Sequence, residues 1–354
     1  MPFTTIKAKR AYLLFCYLFS FLPNLKAQSV QILDHNKACS IRGLSIVNNK
    51  TAWVSGSNGF VGITTNGGET WAWAKVKGFE HSDFRDIEAF SQNEAIIMSS
   101  GTPALILRTT DRGLTWQTCY QNDDKNYFFD AMTFINKSHG FVLGDPINGK
   151  FLIMKTRDGG NTWRAFKNPP VSFNGEAAFA ASGTCIIANS KMLCIVTGGS
   201  KSRDLILLNP TAHKPNNWLS YTLPLLKGQN TQGTFSTVIK NGRQIFVGGD
   251  YQNNKRKDSV ACYFDLNDSK SMSLAAKPPE GYQSSVESIS RNIFISTGTS
   301  GTNITFNRGR TWKLIDSTSY NVCKKAKGGK LILLAGDNGK IGKIKISNLT
   351  IKRL

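Results

Sequence analysis

The chain has 354 residues, of which 40% are hydrophobic, and it carries 44 basic and 23 acidic side chains for a net charge of +21. This hydrophobic content excludes a disordered, charge-dominated chain, and the length suffices for one large domain. Seven cysteines in a chain of this length exclude a scaffold built from disulfides.

The first 27 residues have the three parts of a secretory signal peptide. Three basic residues precede an apolar run at 11–22, and the small residue Ala27 follows it. The run is too short to span a bilayer, so we predict cleavage after Ala27 and an exported product, periplasmic or secreted. Loss of the four basic residues of this leader lowers the net charge from +21 to +17. We expect no nucleic-acid partner and no membrane span in residues 28–354.

An octet that ends in tryptophan occurs four times in the chain. It reads TTNGGETW at 64–71, TTDRGLTW at 109–116, TRDGGNTW at 156–163 and TFNRGRTW at 305–312. Asp or Asn at the third position and Gly at the fifth favour a turn, and the Thr-Trp pair suits the strand that follows. The octets begin 45, 47 and 149 residues apart, which fits the period of a four-stranded propeller blade. We interpret them as structural turns, each with its indole packed between neighbouring blades.

Seven similar segments, each a strand that ends in small residues, predict the number of blades. They lie at 51–59, 93–101, 139–149, 193–203, 244–253, 293–301 and 331–339. Residues 28–354 are therefore predicted to form an all-β, seven-bladed β-propeller with four-stranded blades. The last blade has three strands of its own, so we predict that residues 29–34 pair with it and close the ring.

The topology of a propeller predicts which residues share the mouth of its channel. The start of each innermost strand and the end of each second strand lie on one face, whereas the octets lie on the other. The predicted mouth residues are Arg42, Arg85, Asp130, Asp145, Glu176, Arg203, Asp250 and Tyr251. Charges of both signs in a concave mouth suit a polar or carboxylate-bearing ligand. The alternative is that these charges neutralise one another between blades.

The cysteines and histidines give no metal-binding pattern. Their spacing matches no known metal site, and no glycine series opens a helix as a dinucleotide site requires, so we expect neither a metal nor a cofactor. Cys185 and Cys194 would face each other on adjacent strands if Asn189-Ser190 were a two-residue turn. A disulfide and two buried free thiols both stay open for this pair.

The octets match the Asp-box pattern, Ser/Thr-x-Asp-x-Gly-x-Thr-Trp. With segments such as IRGLSIV (41–47), DFRDIEAF (83–90) and VGGDY (247–251), they make the chain resemble the exported photosystem II stability/assembly factor-like BNR-repeat family of the sialidase-like superfamily. The resemblance covers residues 28–354, although blades four and five lack the octet. It implies a seven-bladed propeller, and the photosynthetic members of the family are assembly chaperones that bind membrane-protein precursors through an arginine-rich surface.

The favoured hypothesis is a non-catalytic, exported binding or assembly propeller. Its Arg42/Arg85 face would hold an anionic protein, or an anionic glycan or polymer of the cell envelope. Two observations motivate it, namely the gathering of basic residues late in the chain and the lack of a convincing nucleophile.

Two other functions remain as alternatives. A sialidase-like glycoside hydrolase would bind the substrate carboxylate through three arginines, Arg42, Arg85 and Arg203. In such an enzyme Tyr251 would act beside Glu176, with Asp145 as the acid. A carbohydrate-binding module would instead use aromatic stacking platforms, for which the candidates are Trp53, Tyr127 and Tyr251.

Overall fold

The structure, a computed structural model, describes residues 30–212, 217–266 and 272–345. The predicted signal peptide at 1–27 lies outside these residues. The inner strands of the blades are rich in β-branched and aromatic residues and are buried on both sides, since each sheet packs between two neighbouring sheets, whereas the outermost strands are more exposed. Within the described residues, no helix is long and apolar enough to cross a bilayer.

The first three blades are regular four-stranded antiparallel sheets. Blade one consists of Ile41–Ile46, Ala52–Gly56, Phe60–Thr64 and Ala72–Lys75. Blade two consists of Asp83–Ala89, Ala95–Ser100, Ala104–Thr109 and Gln117–Asn122. Blade three consists of Phe129–Phe134, Gly140–Ile147, Lys150–Thr156 and Arg164–Ala165.

The next three blades keep this order, with an addition between blades four and five. Blade four consists of Ile186–Ala188, Met192–Val196, Arg203–Leu208 and Leu219–Thr222. Blade five consists of Gln232–Lys240, Arg243–Asp250, Ala261–Asp265 and Ser273–Leu274. Two short strands, Glu176–Ala177 and Gly198–Gly199, extend the sheet of blade five. Blade six consists of Ser285–Ser288, Phe294–Gly298, Gly301–Thr305 and Lys313–Asp316.

The seventh blade combines the two ends of the described chain. It consists of Val322–Lys325, Ile332–Ala335, Ile341–Ile344 and the N-terminal strand Val30–Asp34. Asp337–Gly339 forms a short 3-10 helix between the second and third of these strands. Val30 lies opposite Ile344 in an antiparallel pair. The innermost strands of successive blades are in contact, including those of blades seven and one, which confirms the predicted seven-bladed, all-β propeller.

The hydrophobic core lies between neighbouring blades. Ile41, Leu44 and Val54 of blade one pack against Leu333 and Ala335 of blade seven, and all five are almost fully buried. Each of the larger aliphatic side chains among them contributes roughly 1.5–3 kcal/mol through its burial. The apolar inner faces of the sheets therefore hold the ring together.

The tryptophan-closed octets form turns between the third and fourth strands. In the second octet the Thr109 hydroxyl accepts the Gly113 N–H at 2.9 Å and donates to Asp111 Oδ1 at 2.8 Å. Gly113 has a positive φ of 80°, which favours glycine. Trp116 packs edge-on against Trp53 of blade one, with ring centroids 6.4 Å apart. The octet thus fixes its own turn and supplies an indole to the contact between two blades.

The strand register places Cys185 and Cys194 at different levels. The two-residue turn is Ser190-Lys191, since the Asn189 N–H donates to the Met192 carbonyl at 2.9 Å. Cys194 therefore lies opposite Ile187. Both cysteines are buried free thiols. The arrangement in which they face each other is wrong, because the turn lies one residue later than Asn189-Ser190.

Candidate functional site

Four innermost strands carry a β-bulge at the same level, next to the mouth of the channel. In each case one residue is left out of the ladder between two paired neighbours; the four bulged residues are Arg42, Arg85, Asp130 and Phe235. A bulge redirects a side chain away from the regular alternation of a strand. All four side chains line a single cavity of about 500 Å³. The repeat of the bulge from blade to blade thus assembles the site.

The innermost part of blade four is interrupted at the same level. Glu176–Ala177 leaves its own blade and pairs with Gly198–Gly199, so residues 177–181 run along the cavity. Phe179 of this segment stacks on Phe235, with ring centroids 3.8 Å apart and an interplanar angle of 8°. A Cβ on Gly198 would lie 2.1 Å from the Phe179 ring, so the position requires glycine.

The cavity has a charged side and an aromatic side. Blades one, two, three and seven contribute its ionisable groups, which are Arg42, Arg85, Asp130, Asp145 and Asp337. Blades four, five and six contribute most of its rings, which are Phe179, Phe235, Tyr251 and Tyr282. The Phe235 ring contacts Tyr282 edge-on, with centroids 4.8 Å apart, and the exposed Tyr251 packs against both. A ligand with an ionic group next to an apolar group matches this division.

Arg42 is a partly buried guanidinium with much of its hydrogen-bonding capacity free. One of its Nη atoms donates to the Ala181 carbonyl at 3.3 Å. Burial lowers the pKa of Arg42, and the nearby charge of Arg85 lowers it further. Among the described residues, no carboxylate forms an ion pair with Arg42. A guanidinium has five N–H donors, so Arg42 keeps donors with which it can bind an anionic group.

Arg85, unlike Arg42, has a carboxylate partner outside the cavity. Its Nε donates to Asp83 Oδ2 at 2.7 Å. Its guanidinium lies 5.9 Å from the centroid of Phe128, which also lines the cavity. Arg85 therefore adds positive potential beside Arg42 while Asp83 fixes its orientation.

Two of the three aspartates that line the cavity, Asp130 and Asp145, have raised pKa values. Asp130 is 1% exposed and neither of its carboxylate oxygens has a hydrogen-bond partner. Burial raises the pKa of Asp130 well above its usual value, and the neighbouring Asp145 raises it further. Burial also raises the pKa of Asp145 to about 6, despite the hydrogen bond that it accepts from the Ala178 N–H at 3.2 Å. Both shifts favour the neutral form of these two carboxyl groups, so they balance less of the positive charge of Arg42 and Arg85.

Three predicted mouth residues do not line the cavity. Glu176 and Arg203 form a buried ion pair, with Nη2 2.6 Å from Oε2. Asp250 accepts the backbone N–H groups of Gln252 and Asn253 at 3.0 and 3.2 Å, as a turn-stabilising carboxylate does. The structure thus unites Arg42, Arg85, Asp130, Asp145 and Tyr251, and it places Glu176, Arg203 and Asp250 apart from them.

These placements also bear on the two alternative functions. The three arginines required for a sialidase-like site do not meet, because Arg203 is engaged by Glu176 away from Arg42 and Arg85. The proposed stacking platform Trp53 is 1% exposed, and its Nε1 donates to the Ser91 carbonyl at 3.0 Å. Trp53 is therefore a core residue.

Most of the aromatic residues that line the cavity were not predicted from the sequence. Phe235 occupies the bulge position of blade five, as Arg42 does in blade one. Arg42 and Arg85 each lie ten residues before the first residue of the second strand, Ala52 and Ala95. The hairpin turn at Asn241-Gly242 is one residue shorter than its counterpart in blade one, so the same ten-residue spacing does not reach Phe235. Allowing for the short turn would have found it. Phe179 carried no such signal, because it belongs to the interruption of blade four.

The family model of the photosynthesis system II assembly factor YCF48 matches residues 22–126, which include blades one and two. Among solved structures, the chain is similar to YCF48 bound to a D1 peptide, with 16% identity and a TM-score of 0.62, over 92% of this chain and 98% of that chain. The chain is thus similar to YCF48 in the sequence of residues 22–126 and in its propeller fold. The family resemblance predicted from the octets is confirmed.

Two further solved structures resemble this YCF48-like propeller. YCF48 from Cyanidioschyzon merolae has 15% identity and a TM-score of 0.59, over 90% of this chain and 100% of that chain. The WD40 domain of Neurospora crassa Pan2 has 14% identity and a TM-score of 0.58, over 88% of this chain and 91% of that chain. No curated protein matches the sequence. At such identities the solved structures show the fold alone.

Proposed function

We propose that this YCF48-like propeller is an exported, non-catalytic binding or assembly protein that takes a carboxylate-bearing segment of a partner protein into the Arg42/Arg85 cavity. The observation that carries the proposal is the state of Arg42, a partly buried cation without a carboxylate partner among the described residues, on the wall of a cavity of about 500 Å³. Leaving such a group unpaired is costly, and a ligand carboxylate would satisfy it with charge-assisted hydrogen bonds.

The shape and chemistry of the cavity favour a peptide. Its volume suits a few residues of an extended segment, and the Phe179, Phe235 and Tyr282 rings provide an apolar wall opposite the arginines. A related YCF48 has been solved with a D1 peptide bound, which supports a protein partner for this chain as well. The ligand class that fits is a segment in which a carboxylate lies close to an apolar or aromatic side chain.

A peptide array tests the proposal directly. Short peptides that pair an apolar residue with a free carboxylate should bind, and the same peptides with the carboxylate amidated should bind more weakly. Arg42→Gln should reduce affinity at least about 10-fold, since a hydrogen bond to a charged group contributes about 1.5–3 kcal/mol. Arg256→Gln is the matched control, because Arg256 is exposed and paired with Asp258. Equal binding by acid and amide peptides would overturn the proposal.

The non-catalytic and exported parts need separate measurements. A fluorogenic sialoside assay should show no turnover above the blank, and turnover lost in Arg42→Gln would establish the hydrolase alternative instead. Export should yield a protein whose first residue is Gln28. A full-length protein that starts at Met1 and stays with the cytoplasmic fraction would contradict it.

A further inference from the structure

The face opposite the cavity has a different charge pattern. This face, called the box face below, consists of the turn after each innermost strand and the loop after each third strand, which carries the octet in four blades. Each of the seven blades contributes an exposed cation there: Lys50, Arg112, Arg157, Lys191, Lys240, Arg310 and Lys330. The cations are therefore spread around the whole ring rather than gathered in one patch.

Exposed carboxylates are scarce on the box face. In its described residues they are Glu69 and Asp158. Asp158 is engaged within its own turn, where it accepts the Thr162 hydroxyl at 2.6 Å. The seven exposed cations outnumber these two carboxylates, so the box face has a positive potential that extends over a broad surface.

Two apolar side chains project from the same face. Leu114 is 82% exposed and Phe306 is 45% exposed. They lie in the octets of blades two and six, on roughly opposite sides of the ring, and each has an arginine two residues away, Arg112 and Arg308. Separate apolar tips within a field of cations are what an interfacial membrane-binding surface presents to lipid.

We propose that the box face docks onto the surface of an anionic phospholipid bilayer, with Leu114 and Phe306 inserted at its edge. A bilayer is favoured over an acidic protein because its charge is uniform in the plane, as the ring of cations is, whereas a protein partner would match a local cluster. Docking in this manner leaves the Arg42/Arg85 cavity on the side away from the lipid. The cavity then stays open to a partner segment while the propeller is held at the membrane.

Vesicle co-sedimentation of the full chain tests this orientation. Phosphatidylcholine vesicles that contain phosphatidylglycerol should bind the protein in a salt-sensitive manner, and pure phosphatidylcholine vesicles should not. The triple variant Arg112→Gln, Arg157→Gln and Arg310→Gln should lose about 100-fold in affinity, at about fivefold for each cation. Leu114→Ser with Phe306→Ser should weaken binding severalfold without a change in charge.

The matched control carries the same change of charge on the opposite face. Lys77→Gln, Lys150→Gln and Lys201→Gln remove three exposed cations from the cavity side of the propeller, and this variant should bind vesicles as the unmodified chain does. Near-ultraviolet circular dichroism shows whether each variant keeps the packing of its tryptophans. Equal losses in the two triple variants would overturn the proposal, as would equal binding to neutral vesicles. Salt-sensitive capture of an acidic protein without any vesicle binding would assign the face to a protein partner instead.

Discussion

Arg203 holds both carboxylate oxygens of Glu176, with Nε 2.7 Å from Oε1 and Nη2 2.6 Å from Oε2. Glu176 also accepts the Thr197 hydroxyl at 2.6 Å and the Phe173 N–H at 2.9 Å. The Glu176 side chain is fully buried. Since Glu176 begins the short strand that leads into residues 177–181, the ion pair positions one wall of the cavity.

Removing the charge of Glu176 should destabilise the fold. Glu176→Gln leaves the buried Arg203 guanidinium without its counterion, so the free energy of unfolding should fall by about 3 kcal/mol. Urea denaturation followed by tryptophan fluorescence measures the change. Asp258→Asn breaks an exposed ion pair with Arg256 and should cost less than about 1 kcal/mol. Equal, small effects of the two variants would show that the buried pair does not position the wall.

Ligand binding in the cavity should depend on pH through Asp145. Its pKa is raised to about 6, so Asp145 is charged above pH 6 and repels an anionic ligand held by Arg42. The affinity for a carboxylate peptide should therefore rise as the pH falls from 8 to 5, by roughly fivefold for the loss of one nearby charge. Fluorescence anisotropy measures this profile. Asp145→Asn should flatten it, and an unchanged profile in that variant would assign the pH dependence to another group.

Asp204 should destabilise the fold at high pH. It is 1% exposed between blades four and five, and burial raises its pKa to about 7 from 3.8, while a hydrogen bond with Gln244 lowers it slightly. Below pH 4 both the folded and the unfolded chain hold this proton, so it has no net effect there. Between pH 4 and 7 Asp204 ionises in the unfolded chain but keeps its proton in the folded chain. This difference lowers the free energy of unfolding, by at most about 4 kcal/mol above pH 7.

The matching variant for this effect is Asp204→Asn. It should be more stable than the unmodified chain at pH 8 and similar to it at pH 4, as measured by thermal or urea unfolding at the two pH values. A gap of the same size at both pH values would mean that the titration of Asp204 is not its cause.

Because Asp158 stabilises the turn of its octet, we expect two substitutions of Asp158 to differ in their effect on the free energy of unfolding. Its Oδ1 accepts the Thr162 N–H at 3.0 Å, and its Oδ2 accepts the Thr162 hydroxyl at 2.6 Å. In the first octet Asn66 makes the equivalent pair of bonds, with its Nδ2 donating to Thr70 Oγ1 at 2.9 Å. Asp158→Asn should therefore be nearly neutral, whereas Asp158→Ala should cost about 1–2 kcal/mol. A large loss in the Asn variant, measured by urea unfolding, would point to a role for the charge itself.

The position of the mouth was predictable from sequence because it follows from strand order. Arg42, Arg85 and Asp130 lie at equivalent points of three repeats, and in the structure their bulges bring them to one cavity. Glu176 and Arg203 lie near equivalent points as well, yet they pair with each other away from it. The reason is local, since blade four breaks its innermost strand and Glu176–Ala177 joins the sheet of blade five, where Glu176 pairs with Arg203 of blade four.

The sequence alone determined the repeat, since turn chemistry and hydrophobic alternation act over a few residues and recur with the blade period. From that repeat followed the number of blades and the separation of the octets from the mouth. Only the tertiary structure decided which charges stay free. The raised pKa of Asp130, the unpaired state of Arg42 and the stacking of Phe179 on Phe235 depend on burial and on contacts between distant blades. Local sequence patterns do not predict such contacts, because burial and electrostatic coupling between blades arise only when the ring closes.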